Sequence, residues 1–146
     1  MQIFAETRRL ILREIVPTDE SSLFIMDSDA EVHRFLGNNP VSEIGQARKM
    51  IDHIRQQYQD TVIGRWAVIE KDGHQFVGWA GLKFINQPVN NHVNYYDLGY
   101  RLARAFWNRG YATEAARAVL TYAYQSMLLS HVYAMAMRIT FSRKMC

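Results

Sequence analysis

The chain lacks features that several protein classes require. Its 146 residues include one cysteine, Cys146, so no disulfide can form within it, which is typical of a reducing compartment. No apolar run approaches the roughly 20 residues of a membrane-spanning helix, and the N-terminus has no signal-peptide core. The histidines show no metal-ligand spacing. We therefore expect a cytoplasmic protein without a membrane partner or a metal.

Positive charge is present but scattered. The chain has 17 Lys and Arg against 14 Asp and Glu, a formal net charge of +3 at pH 7. No dense basic block is interleaved with aromatic residues, so the pattern argues against nucleic-acid binding. Part of the charge lies where a small polyanionic ligand would dock. The apolar share of 49% and the charged share of 21% predict one globular domain over residues 1–146.

Hydrophobic periodicity predicts an alternation of strands and helices. Strands are expected at residues 9–15, 64–70, 75–85, 95–102 and 130–136. Helices are expected at 21–27, at 29–35, from 42–46 onward and from Tyr111 onward. Asp72 and Gly73 between two apolar runs predict a hairpin. A helix separates the last two strands, so we expect them to be parallel.

The most informative segment joins the strand at 95–102 to the helix that begins at Tyr111. Small or apolar residues recur along this helix at the spacing of one buried face: Ala115, Ala116, Val119, Leu120, Ala123, Tyr124 and Met127. Gly110 marks a tight turn just before it. The first N–H groups of a helix are unpaired and its dipole favours anions, so this turn is a candidate phosphate site. An ordinary strand-to-helix connection is the alternative, since one glycine is a weak signal.

Four segments resemble the GNAT N-acetyltransferase superfamily, and they occur in the family's order. Residues 107–115 (WNRGYATEA) resemble the acetyl-CoA signature Q/R-x-x-G-x-G/A, with Trp107 at its first polar position. The other three are residues 6–13 (ETRRLILR), 76–82 (FVGWAGL) and 97–100 (DLGY). Together they resemble the ribosomal-protein N-acetyltransferase (Rim-type) branch of that superfamily.

The resemblance implies a fold and a cofactor. The fold would be the α/β acyl-CoA N-acyltransferase fold, a central mixed, mostly antiparallel sheet flanked by helices. Main-chain amides of five residues would hold the pyrophosphate of acetyl-CoA: Arg109, Gly110, Tyr111, Ala112 and Thr113. Main-chain groups of Tyr100 and Leu102, on a strand splayed from its neighbour, would pair with the pantetheine arm as an added strand does.

The resemblance also implies direct attack of a primary amine on the acetyl thioester in a ternary complex. The main-chain N–H of Tyr100 would stabilise the oxyanion. Asp97 is our candidate base, acting through water, although a solvent-exposed carboxylate that ends the loop is the alternative. Ser142 lies near where the family protonates the leaving thiolate. A protein N-terminal α-amine is favoured over lysine because roughly a tenth of it is neutral at pH 7; a small-molecule amine is the alternative acceptor.

The tail departs from the family pattern after about residue 136. The family continues with a helix and a terminal hairpin, whereas this sequence ends at Cys146, with Ser142 only faintly matching the helix start. We therefore expect a C-terminally truncated domain whose exposed strand edge favours homo-oligomers. Two alternatives remain open at this point. One is a catalytically impaired acyl-CoA-binding remnant; the other is a binding module for protein or nucleic acid.

Overall fold

The computed structural model describes residues 1–33, 40–85, 95–134 and 139–142. These residues form seven strands and four α-helices. The strands are β1 (Ile3–Glu6), β2 (Leu10–Glu14), β3 (Arg65–Glu70), β4 (Phe76–Ile85), β5 (Tyr95–Leu102), β6 (His131–Ala134) and β7 (Ile139–Ser142). The helices are α1 (Glu20–Asp27), α2 (Ala30–His33), α3 (Ile44–Thr61) and α4 (Tyr111–Gln125).

The strands form one mixed sheet in chain order, β1 to β7. Neighbours from β1 to β5 are antiparallel, and β6 and β7 are antiparallel to each other. β5 and β6 are parallel, with Asp97 opposite Tyr133, because α4 carries the chain back between them. The predicted mixed, mostly antiparallel sheet flanked by helices is confirmed.

Both faces of the sheet are buried. Trp66 and Val68 of β3 pack with α4 residues such as Val119. The alternate residues of that strand, Ala67 and Ile69, face α1 and α3. A strand covered on both faces must be apolar at successive positions, which explains the continuous hydrophobic run of β3. The two cores therefore lie on opposite sides of the sheet.

The N-terminal strand β1 was missed by the sequence prediction. Only the strand at 9–15 was expected, and it appears as β2. β1 is a short edge strand, and Ile3 at its start is 51% exposed. Its position depends on a distant contact, since the Phe4 ring stacks on Trp66 at a centroid distance of 4.6 Å.

The C-terminal segment contains a strand that the sequence analysis did not predict. Residues Ile139–Ser142 form β7, in which Phe141 lies opposite Val132 of β6. Alternating β-branched, aromatic and hydroxyl residues suit a strand better than a helix.

Some predicted features fall on residues that are not described. They include residues 86–94, where Pro88 and polar residues predict a loop, and residues 143–146. Residues 35–39 of the segment 35–45, which the resemblance places at the rim of the acceptor pocket, also lie outside the described residues. In the described part of the chain, no helix has both the length and the apolar character needed to cross a membrane.

Candidate active site

A cleft of about 970 Å³ opens between β5 and the start of α4. Its lining includes Gly110, Tyr111, Ala112 and Thr113 at the start of α4. It also includes acidic, basic and aromatic side chains: Glu31, Arg65, Trp79, Asp97 and Arg101. Trp79 belongs to the core on the side of the sheet away from α4. The cleft thus joins the predicted phosphate site to Asp97.

Residues 108–113 form the turn that leads into α4, which we call the phosphate turn. Gly110 has φ 80° and ψ 4°, and Asn108 has φ 62°. Both angles lie in the left-handed region, where glycine carries no Cβ penalty. The first bond of this helix runs from the Glu114 N–H to the Gly110 carbonyl at 3.0 Å. The preceding N–H groups of Tyr111, Ala112 and Thr113 are therefore free of the helix ladder and suited to an anion.

Arg109 differs from the other residues predicted to hold pyrophosphate. It is not among the residues that line the cleft. Its main-chain carbonyl accepts a hydrogen bond from Arg9 Nη1 at 2.9 Å, and its guanidinium lies 5.5 Å from the centre of the Phe106 ring. Four of the five predicted residues are thus brought together in the cleft.

Tyr100 and Leu102, the two residues predicted to pair with the pantetheine arm, both line the cleft. Tyr100 is 45% exposed, whereas Leu102 is buried. The Leu102 carbonyl already accepts a hydrogen bond from Trp107 Nε1 at 2.9 Å. A carbonyl has two lone pairs, so a second donor can share it. This contact of Trp107, at the unusual first position of the signature, was not anticipated from the sequence.

Asp97 lies in a buried ion pair. It is 8% exposed, and its Oδ2 lies 3.0 Å from Arg65 Nη2. Arg65 Nη1 also donates to the main-chain carbonyls of Asp97 at 2.9 Å and Gly81 at 2.6 Å. The alternative interpretation of Asp97 as a solvent-exposed carboxylate is therefore wrong.

Arg65 reaches Asp97 because Gly99 has no side chain. A Cβ at position 99 would lie 2.8 Å from Arg65 Nη2. Burial lowers the pKa of the Arg65 guanidinium, and the hydrogen bond to Asp97 acts in the opposite direction. Asp97 therefore compensates for the positive charge of Arg65, which β3 brings into the sheet.

A second ion pair lies on the same face of the sheet. Arg101 Nη1 donates to Asp27 Oδ1 at 2.9 Å, and His33 Nε2 lies 3.6 Å from the same oxygen. The centre of the Trp79 ring lies 5.2 Å from the Arg65 guanidinium and 5.4 Å from that of Arg101. Sequence reasoning missed this cluster. The sequence signal that could have found it was the presence of Arg65 at the start of one apolar strand and of Arg101 near the end of another.

The predicted proton donor Ser142 lies in β7, opposite His131 across the strand pair. Its role stays a prediction. Among the described residues, no group of His, Cys, Asp and Glu is arranged to hold a metal ion.

A mixed sheet with a cleft between β5 and the first turn of α4 defines the acyl-CoA N-acyltransferase fold. Residues 9–138 match the family model described as "Acetyltransferase (GNAT) domain", and the chain belongs to this family. It is thus an N-acetyltransferase of the GNAT class, a family that uses acetyl-CoA.

The chain is similar to several known proteins. It is 30% identical over 128 residues to the uncharacterized N-acetyltransferase p20 of Bacillus licheniformis, covering 88% of this chain and 70% of that protein. The solved GNAT acetyltransferase of Bacillus anthracis is 25% identical, with a TM-score of 0.71 over 92% of this chain and 72% of that one. RimL, described as a ribosomal L7/L12 alpha-N-protein acetyltransferase in complex with coenzyme A, shares the fold. Its TM-score is 0.67 at 16% identity, over 90% of this chain and 72% of RimL.

Proposed function

We propose that this chain transfers an acetyl group from acetyl-CoA to a primary amine, most specifically the N-terminal α-amine of a protein. The observation that carries this proposal is the single cleft that joins the phosphate turn to Asp97 and Arg65 across β5. An acyl donor held at the turn would direct its thioester along Tyr100 toward the face that carries Asp97.

The cleft suits the donor in two respects. Free amides at Tyr111, Ala112 and Thr113 match a pyrophosphate, and a volume of about 970 Å³ accommodates an extended arm as well. The strand edge at Tyr100 and Leu102 offers main-chain groups to the two amides of pantetheine. These residues are proposed to bind and orient the donor.

The acetyl transfer needs one bond formed and one broken. The amine nitrogen attacks the thioester carbonyl, the C–S bond of the resulting tetrahedral adduct breaks, and the thiolate takes up a proton. The main-chain N–H of Tyr100 is proposed to stabilise the oxyanion. Asp97 is proposed to accept the amine proton through water, supported by its place in the cleft. Ser142 remains the proposed proton donor to the thiolate.

Two arguments support an α-amine as the acceptor. An α-amine is neutral in a far larger fraction than lysine at pH 7, so it needs less help from a base. The fold is shared with RimL, whose description names an α-N-protein substrate. A small-molecule amine is the alternative acceptor.

Thiol release from acetyl-CoA in the presence of matched acceptors tests the proposal. We expect turnover with a peptide that has a free N-terminus and no lysine, and none with the same peptide N-terminally formylated. A lysine added to the formylated peptide controls for side-chain acetylation. Turnover with a simple alkylamine but with none of the peptides would indicate that the acceptor is a small molecule and not a protein. Absence of CoA binding by the folded protein in calorimetry would contradict the proposed function itself.

A further inference from the structure

We propose that Arg9 is a positioning residue for the phosphate turn. Its guanidinium holds and neutralises Glu114, so that the turn can accept a pyrophosphate. The inference rests on the proposed function. Arg9 lies between β1 and β2, about a hundred residues from the turn in sequence. It is not among the residues that line the cleft. It therefore acts on the donor through the turn.

One arginine contacts the turn on both sides of Gly110. Arg9 Nε donates to Glu114 Oε1 at 2.8 Å, and the Arg9 main-chain N–H donates to Glu114 Oε2 at 3.0 Å. Arg9 Nη1 donates to the Arg109 carbonyl at 2.9 Å. The guanidinium also lies 4.3 Å from the centre of the Tyr111 ring. The residue before Gly110 and the first turn of α4 are thus linked to a single side chain.

The turn needs external support. Asn108 and Gly110 both have positive φ, and no side chain caps the N-terminus of α4. Support comes instead from neighbouring elements. The Thr7 hydroxyl donates to Glu114, and the Tyr111 hydroxyl donates to Glu70 at the end of β3. Arg9 brings a positive charge to this group, and its hydrogen-bond acceptors there are the Glu114 carboxylate and the Arg109 carbonyl.

Charge gives Arg9 its second task. Burial acts to raise the pKa of Glu114, but hydrogen bonds from Thr7 and Arg9 outweigh it, so this pKa is lowered. Glu114 is therefore ionised at neutral pH. It directly follows the amides proposed to bind pyrophosphate, and a carboxylate without a partner there would repel that anion. The Arg9 guanidinium removes this repulsion.

The test compares donors with and without phosphate groups. We expect Arg9→Gln to weaken CoA binding about tenfold in calorimetry. The KM for acetyl-CoA should rise with little change in kcat. The kcat/KM for acetyl-pantetheine, which lacks the pyrophosphate, should stay the same. Arg9→Lys keeps the charge and should lose less affinity, and it serves as the readout if Arg9→Gln does not fold.

A double variant tests separately whether Arg9 neutralises Glu114. Arg9→Gln combined with Glu114→Gln should bind CoA more tightly than Arg9→Gln alone, because the uncompensated carboxylate is gone. Arg48→Gln is the matched control, since it breaks the exposed pair Arg48–Glu20 far from the turn. It should leave CoA affinity unchanged.

Three results would overturn the inference while leaving the proposed function intact. They are unchanged CoA affinity in folded Arg9→Gln, an equal loss with acetyl-pantetheine, and no recovery in the double variant. Wild-type protein that does not bind CoA would instead contradict the proposed function.

Discussion

At the scale of single residues, the pair Arg65 and Asp97 links stability to the proposed chemistry. Both side chains are 12% exposed, and their charged atoms lie 3.0 Å apart. A buried charge that loses its partner is strongly destabilising, whereas removal of both charges costs much less. A substitution of Asp97 alone will therefore affect the fold as well as any proton transfer.

A double-mutant cycle is expected to separate these effects. Asp97→Asn should lower the free energy of unfolding by about 3 kcal/mol, because Arg65 is left buried and unpaired. Arg65→Gln combined with Asp97→Asn should show a coupling energy of about 1–3 kcal/mol in urea denaturation. Strictly additive losses would mean that the ion pair contributes nothing specific. If Asp97 is also the base, kcat should remain low in the double variant after its stability recovers.

At the scale of elements, the junction between the phosphate turn and α4 depends on Gly110. A Cβ at this position would lie 3.3 Å from Arg9 Nη2, and φ is +80°. The sequence indicates only a tight turn at Gly110. The structure adds a physical reason for glycine, since the added carbon would strain the backbone and press on the supporting arginine.

Gly110→Val is expected to reduce CoA affinity strongly and to cost about 1–2 kcal/mol of stability, because a β-branched residue is disfavoured at this φ. Gly45→Val is the matched control. Gly45 lies in the first turn of α3, and a Cβ there would meet nothing within 4 Å. Calorimetry with CoA and urea denaturation should show a loss only at position 110. Equal CoA affinity in both folded variants would show that the turn is not part of the donor site.

The elements themselves were largely predictable. The bounds of β5 and the start of α4 agree with the prediction, because strand alternation and helical spacing are local signals. The hairpin between β3 and β4 agrees for the same reason, with Gly73 at φ 85°. β1 and β7 were not predicted. Both are four-residue strands whose pairing depends on a neighbour rather than on their own pattern.

At the scale of the whole molecule, Tyr58 connects the sheet to the helical layer. Its hydroxyl accepts from the Ile15 N–H at 3.1 Å and donates to the Arg65 carbonyl. Burial raises the pKa of Tyr58 to about 12. The folded state thus holds this proton more tightly than the unfolded state, where the pKa is near 10. Its contribution to stability is complete below pH 10 and is lost as the pH rises toward 12.

We therefore expect an alkaline loss of stability that depends on Tyr58. The free energy of unfolding should fall by about 2–3 kcal/mol between pH 10 and 12 from this group. In Tyr58→Phe that component should be absent, although the variant should be less stable at pH 7 because two main-chain groups lose a partner. Urea denaturation at several pH values measures both. Parallel pH profiles in the two proteins would show that Tyr58 carries none of the alkaline transition.

The sequence by itself determined most of the elements, β1 and β7 excepted, and the place of the phosphate turn. A helical stripe, a glycine and an alternating strand are local patterns, and the family resemblance followed from motifs of the same kind. The tertiary structure decided which distant charges meet. Arg9 and Glu114 are 105 positions apart, and Arg65 and Asp97 are 32 apart. No local pattern marks such partners, because strand order and register bring them together only when the sheet has formed.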